Sequence, residues 1–147
     1  MELNTFGAAL KFAMDLENHA IRVYSEVAQY IEHDKTKDTF LALAATNEKR
    51  KAMLERLYNE NVFSDMDTGV FEPIAGLKEI DYFFDAKSTN EMKYPGILTV
   101  VMLLEEKTKR FYLDLAAQIK FRRGAVSNFF GKLAQENQDR ILKLNSF

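Results

Sequence analysis

Apolar residues along most of this chain recur every three or four positions, which is the spacing of one face of an α-helix. The strict alternation of apolar and polar residues that is typical of strands is scarce. The pattern therefore predicts four long helices, at about residues 5–33, 37–60, 94–121 and 126–145.

The segments between these helices predict how the helices pair. Residues 34–37 and 122–124 are short connections, so the first and second helices should be antiparallel neighbours, and likewise the third and fourth. Gly124 suits the C-terminal end of the third helix, and Pro95 suits its first turn. The longer segment 62–93 contains turn residues, and its apolar stretch at 77–84 predicts one more small helix.

Two helix hairpins joined by one long crossover form the layout of a ferritin-like four-helix bundle, which is an all-α fold. We expect a single domain of this kind over residues 1–147. The two hairpins also resemble each other, because the frame Leu-Ala-x-x-Asn-x-x-Arg occurs at 43–50 and again at 133–140. An offset of 88 aligns the first helix with the third, and an offset of 90 aligns the second with the fourth. This internal repeat predicts a duplicated hairpin and approximate two-fold symmetry.

Polar residues interrupt the apolar faces of the four helices at matched positions. A helical projection at about 100° per residue places them among apolar neighbours. They are Glu17, Asn47, Arg50, Glu105, Asn137 and Arg140. A lone polar residue on such a face usually reaches out to water, but the matched placement favours an interior cluster. Since an isolated buried charge is very unfavourable, we expect each glutamate to pair with an arginine, with the amides completing the hydrogen bonds. Which glutamate meets which arginine stays open.

The composition excludes or disfavours several classes of function. The net charge is −2, from 20 basic and 22 acidic residues, which does not favour binding to nucleic acid. The longest apolar run, 97–104, is far shorter than the roughly 20 residues that span a bilayer. The chain has no cysteine, which excludes disulfides and thiolate metal sites, and its first residues lack a signal-peptide pattern. We therefore expect a cytoplasmic protein that binds neither nucleic acid nor membranes.

The first and third helices carry a motif that resembles a known family. The frame Ala-x-x-x-Glu-x-x-x-x-x-x-Tyr, at Ala13, Glu17 and Tyr24, is similar to the first helix of rubrerythrin-like, ferritin-like di-iron carboxylate proteins. The third helix repeats it with Glu105 and Tyr112. In that family the second helix of each pair reads approximately Leu-Ala-x-x-Glu-x-x-His, and this Glu and His bind iron together with the Glu of the preceding helix. The resemblance covers nearly the whole chain.

Four of the six metal-ligand positions implied by this resemblance are substituted here. Asn47 and Asn137 stand where the family has Glu, and Arg50 and Arg140 stand where it has His. A guanidinium group has no free lone pair, and a neutral amide is a weak ligand for a hard cation. The charges of two glutamates and two arginines sum to zero. We therefore expect a polar network in place of the di-iron centre, no cofactor, and a non-enzymatic accessory or interaction role.

Two other hypotheses remain open from the sequence. In the first, Glu17 and Glu105 bind iron or another divalent metal with rearranged partners, and the resemblance then implies a peroxidase, an oxidase or an iron-handling protein. The missing cysteines count against it, since rubrerythrins often carry a cysteine-ligated iron domain as electron donor. In the second, the arginines hold a small anion in the former iron pocket.

The resemblance and the helical faces suggest further roles. By analogy with the family we expect a homodimer, and a further protein partner is not identified. Tyr24 and Tyr112 lie on the same faces as the glutamates, so they are candidates for hydrogen bonds into the cluster, although core packing explains them equally well. His19 and His33 are expected at the surface, away from the cluster.

Overall fold

The computed structural model describes residues 1–62, 72–86, 92–119 and 124–147. The chain forms, in order, β1 (Glu2–Thr5), α1 (Phe6–Tyr30), α2 (Asp34–Val62), β2 (Pro73–Lys78), a short 3-10 turn (Glu79–Asp81), α3 (Tyr94–Ile119) and α4 (Gly124–Asn145). The prediction of four long helices in this order is confirmed. None of the helices in these four ranges has both the length and the apolar character that crossing a membrane requires.

Several helix ends differ by two or three residues from the sequence prediction. The side chain of Thr5 accepts a hydrogen bond from Ala8 N at 3.1 Å, and this N-terminal cap begins α1. The helix ends at Tyr30, and α2 already begins at Asp34, inside the predicted connection, where the acidic side chain suits the first turn of a helix. Gly124 does not cap the third helix, because it is the first residue of α4. Pro95 lies in the first turn of α3, as predicted.

The predicted small helix at 77–84 is wrong for its first part. Leu77 and Lys78 belong to β2, and the helical turn that follows is confined to Glu79–Asp81. The strand pairs antiparallel with β1, which the sequence did not indicate, and Leu3 lies opposite Leu77 in the register. Both leucines are buried, so this small sheet attaches the N-terminus and the crossover to the bundle. Gly76 allows the close approach, since a Cβ there would meet Asn4 Oδ1 at 2.9 Å.

Two apolar clusters fill the interior of the bundle, one toward each end. The first joins the N-terminal halves of α1 and α4 to the C-terminal halves of α2 and α3, and the second joins the opposite halves. Members of the first include Leu10, Leu54, Leu115 and Phe130. Members of the second include Val27, Phe40, Val101 and Leu144. Helices α1 and α4 therefore run in one direction and α2 and α3 in the other.

The crossover follows from this arrangement. Because α2 ends at the first cluster and α3 starts at the second, the connection between them must travel the length of the bundle. Its described residues do so, since Leu77 packs in the first cluster and Ala86 in the second. The pairs α1 with α2 and α3 with α4 make the most extensive helix contacts. The expected layout of two antiparallel hairpins is therefore confirmed.

Candidate functional site

A layer of polar side chains lies between the two apolar clusters. We call it the central polar layer. Helix α1 contributes one residue, α2 two, α3 one and α4 two, and none of them is more than 8% exposed. They are Glu17, Asn47, Arg50, Glu105, Asn137 and Arg140. Residues three apart lie on the same face of a helix, so α2 and α4 each present an Asn and an Arg side by side. The structure thus places all six predicted site residues together.

Each arginine forms an ion pair with the glutamate of its own hairpin. Arg50 Nη1 lies 3.5 Å from Glu17 Oε1, so this pair joins α2 to α1. Arg140 Nη1 lies 3.2 Å from Glu105 Oε1 and joins α4 to α3 in the same way. This geometry answers the question of pairing that the sequence left open. It also means that each hairpin neutralises its own buried charge.

The asparagines connect the two hairpins to each other. Arg50 Nη1 donates to Asn137 Oδ1 at 3.0 Å, and Arg140 Nη1 donates to Asn47 Oδ1 at 2.7 Å. Asn137 Nδ2 in turn donates to Glu105 Oε2. Each guanidinium therefore contacts a carboxylate on its own hairpin and an amide on the other. Such a network links the four helices and satisfies most of the buried polar groups of the layer.

Tyr24 and Tyr112 add a second set of links between the hairpins. Tyr24 Oη on α1 donates to Glu105 Oε1 on α3, and Tyr112 Oη on α3 donates to Glu17 Oε1 on α1. Both rings are fully buried. Burial, followed by the charge of the nearby carboxylates, raises the pKa of both tyrosines well above the ordinary value. Both hydroxyls therefore keep their protons and act as donors to the carboxylates.

The two halves of the layer differ at the second nitrogen of each guanidinium. Arg50 Nη2 donates to the carbonyl oxygen of Leu133 and to Glu136 Oε2, both at 3.0 Å. Arg140 Nη2 is buried, and within the four described ranges it has no hydrogen-bond partner. The same is true of Glu17 Oε2 and Arg50 Nε.

Glu136 is a residue of the site that was not predicted from the sequence. Its side chain is 54% exposed, so it looks like an ordinary surface residue of α4. The internal repeat offered one signal. The offset of 90 aligns Glu136 with Thr46 of α2, so an acid is present in only one of the two matched helices. The predicted charge balance, two glutamates against two arginines, therefore omits one carboxylate. Arg50 and Arg140 face three carboxylates, those of Glu17, Glu105 and Glu136, although the last is largely in solvent.

The pKa of Glu17 is shifted by its place in the layer. Burial raises its pKa above the ordinary value of 4.5, and the charge of Arg50 and the hydrogen bond from Tyr112 oppose that rise only in part. Burial works to lower the pKa of Arg50, but the charges of Glu17, Tyr112 and Glu105 and the hydrogen bond to Glu136 together outweigh it, and the pKa is raised. Arg50 therefore stays charged, and Glu17 is the group of this pair that takes up a proton as the pH falls.

The donor groups of the central polar layer do not fit a di-iron centre. Glu17 Oε1 already accepts from Tyr112 and Arg50, and both oxygens of Glu105 are engaged. Guanidinium groups cannot ligate a metal, because their nitrogens offer no lone pair. Across the described residues there is no group of three or more His, Cys, Asp or Glu side chains that could hold a metal ion.

Neither histidine joins the layer. His33 is exposed, as expected. His19 departs from the expectation of an ordinary surface residue, because its Nε2 accepts a hydrogen bond from Ala86 N at 3.2 Å and its ring packs 5.0 Å from that of Phe83. Burial lowers the pKa of His19, so the ring is the neutral acceptor that this bond requires. It fixes the crossover against α1.

Comparison with solved structures places the fold. No protein-family model and no curated protein matches this chain. The crystal structure of a proposed ferritin-like diiron-carboxylate protein from Thermotoga maritima does match, with a TM-score of 0.79 and 16% sequence identity, over 99% of this chain and 94% of that one. At this identity the match shows the fold alone. The predicted all-α, ferritin-like four-helix bundle is confirmed.

Proposed function

We propose that this protein is a ferritin-like bundle that works without a di-iron centre, in a non-enzymatic accessory or interaction role. One observation carries the proposal. At the centre of the bundle, the Nη1 atoms of Arg50 and Arg140 lie 3.5 and 3.2 Å from the carboxylates of Glu17 and Glu105. Permanent cations that belong to the chain thus neutralise the carboxylates at the positions where the resemblance implies iron ligands.

Hydrogen bonding within the layer supports this interpretation. A metal at Glu17 and Glu105 would compete with the hydrogen bonds that these carboxylates accept from Tyr112 and Tyr24, and each arginine would be left buried beside a second cation. Removing one partner of a buried ion pair is strongly destabilising, at about 3–5 kcal/mol. The Thermotoga protein is described as a diiron-carboxylate protein, and an oxidoreductase or iron-handling role would need that rearrangement here. The proposal is that the network stays intact.

Restoring the ligand residues tests the proposal by gain of function. The variant combines Asn47→Glu and Asn137→Glu with Arg50→His and Arg140→His, and we expect it to bind iron. Its control carries only Asn47→Glu and Asn137→Glu, which keeps both arginines and should stay without iron. Iron per chain is measured by elemental analysis, and circular dichroism checks that both variants keep their helices. A folded fourfold variant that binds no iron would show that the motif has been aligned wrongly.

The proposal includes a homodimer as the interacting form. Large apolar side chains are exposed on α2, α3 and α4, including Leu103 and Leu113 on α3 at 44% and 49% and Leu142 on α4 at 60%. A homodimer interface would bury side chains of this kind. Size-exclusion chromatography with light scattering measures the mass directly. A mass of about 34 kDa, twice the 17.0 kDa of one chain, supports the dimer, and a monomer at every concentration contradicts it.

A further inference from the structure

The two arginines of the central polar layer differ in the partners of Nη2. In both residues Nη1 contacts an Asn Oδ1 and a Glu Oε1, so the two Nη2 atoms are equivalent. Arg50 Nη2 receives a carboxylate from α4, namely Glu136 Oε2 at 3.0 Å. The offset of 90 that relates α4 to α2 puts Thr46 in the place of Glu136. Arg140 therefore lacks the carboxylate that its counterpart has.

A groove is lined by Arg140 and by Thr46, the residue that the offset aligns with Glu136. It runs between α2 and α4 and has a volume of about 270 Å³. Its lining consists of Thr39, Ala42, Leu43, Thr46, Asp139, Arg140 and Lys143. Arg140 is 8% exposed, whereas Arg50, which Glu136 covers, is 1% exposed. Among the described residues Arg140 Nη2 has no partner, and an unsatisfied buried donor is unfavourable. The groove is thus lined by a residue that has a spare, buried donor.

We propose that this groove binds a small organic monocarboxylate, which takes on Arg140 the place that Glu136 holds on Arg50. Charge–charge attraction from Lys143, which also lines the groove, adds to the hydrogen bond from Arg140. Asp139 lines the same groove and repels a second negative charge, which disfavours phosphate. The assignment goes beyond the function proposed above and does not rest on it.

The threonines of the groove shape it without holding the anion. Thr46 Oγ1 donates to the carbonyl oxygen of Ala42 at 3.0 Å, and Thr39 Oγ1 donates to that of Lys35 at 3.1 Å. Both hydroxyl protons are therefore already used within α2. This arrangement provides a control, because Thr46→Val keeps the size of the side chain and should leave the affinity unchanged.

Titration with acetate tests the assignment, at an ionic strength kept constant with chloride. In ¹H–¹⁵N NMR spectra we expect saturable shifts of the amide signals of Thr46, Asp139 and Lys143. Thr46→Glu supplies the carboxylate from the chain itself and should weaken acetate binding roughly tenfold or more, by the strength of a charge-assisted hydrogen bond. Glu136→Thr should do the reverse, because it opens the equivalent place on Arg50 and adds a second set of saturable shifts.

Several results would overturn the proposal. Absence of saturable shifts in the groove would do so, and so would a Thr46→Glu variant that binds acetate as well as the wild type. Saturation by inorganic phosphate at lower concentration than acetate would contradict the carboxylate class. If Thr46→Glu does not fold, Lys143→Gln is measured in its place, because Lys143 is exposed. It should weaken acetate binding about two- to fivefold, and an unchanged affinity would count against the site.

Discussion

Replacing Arg50 by alanine tests the energetic role of the central polar layer. The substitution removes the hydrogen bonds that the guanidinium makes to Glu17, Asn137, the carbonyl oxygen of Leu133 and Glu136. Glu17 is 1% exposed, so its carboxylate would remain in the interior with Tyr112 as its main donor. The unpaired charge of Glu17 is the largest contribution to the expected loss of stability, because Glu136 can turn to solvent and the amide of Asn137 is neutral.

The expected loss can be worked out from these contacts. Breaking a buried ion pair by removing one partner lowers the free energy of unfolding by about 3–5 kcal/mol. A buried acceptor left unsatisfied contributes about 1–3 kcal/mol to that loss. We therefore expect Arg50→Ala to lower the free energy of unfolding by about 3–5 kcal/mol. Adding Glu17→Gln to Arg50→Ala removes the stranded charge, so the double variant should recover part of the loss.

Urea unfolding followed by circular dichroism measures this difference, provided that the slope of the transition is the same in both proteins. Lys51→Ala is the matched control, since Lys51 is the next residue of α2 and its pair with Glu55 is partly exposed at 3.9 Å. That control should change the stability by less than about 1 kcal/mol. An Arg50→Ala loss as small as that of Lys51→Ala would refute the reasoning, because Arg50 would then not hold a buried charge.

Three further predictions concern neighbouring groups. Tyr112→Phe removes a buried donor to Glu17, and urea unfolding should show a loss of about 1.5–3 kcal/mol, so no measurable loss contradicts the hydrogen bond. Folding raises the pKa of Glu17, so its contribution to the free energy of unfolding is complete below pH 4.5. That contribution is lost as the pH rises through the raised pKa. Wild type should therefore lose stability relative to Glu17→Gln over that range in unfolding curves, and a pH-independent difference contradicts the shift. Leu3→Ala should destabilise by about 2–5 kcal/mol and expose the amides of β2 to hydrogen exchange, whereas unchanged exchange would mean that the small sheet does not depend on Leu3.

The helices and the inner positions of the polar residues were predictable from one physical cause. A helix that buries one face must repeat its apolar residues at helical period, so a residue such as Glu17 within that face stands out. The second copy of the frame, ending in Arg140, made the same pattern visible twice. The buried face of a helix can be predicted in this way because its apolar pattern depends only on the residues of that helix.

Features that depend on distant partners were not predictable in the same way. The strand β1 is four residues long with a single buried leucine, and it forms because β2 lies beside it. For the same reason Leu77, which the sequence placed in a small helix, joins a strand. Glu136 reaches Arg50 across the α2–α4 interface, and nothing within α4 distinguishes it from a solvated acid. In each case the local pattern was overridden by a contact with another element.

Metal content of the wild-type protein tests the central claim most directly. The chain is expressed with added iron and manganese, purified without chelators, and analysed for bound metal per chain beside Glu17→Ala. We expect far less than one metal ion per chain in the wild type and no difference in the variant. Near-stoichiometric metal in the wild type that disappears in Glu17→Ala would contradict it, because Glu17 would then bind a metal and not Arg50.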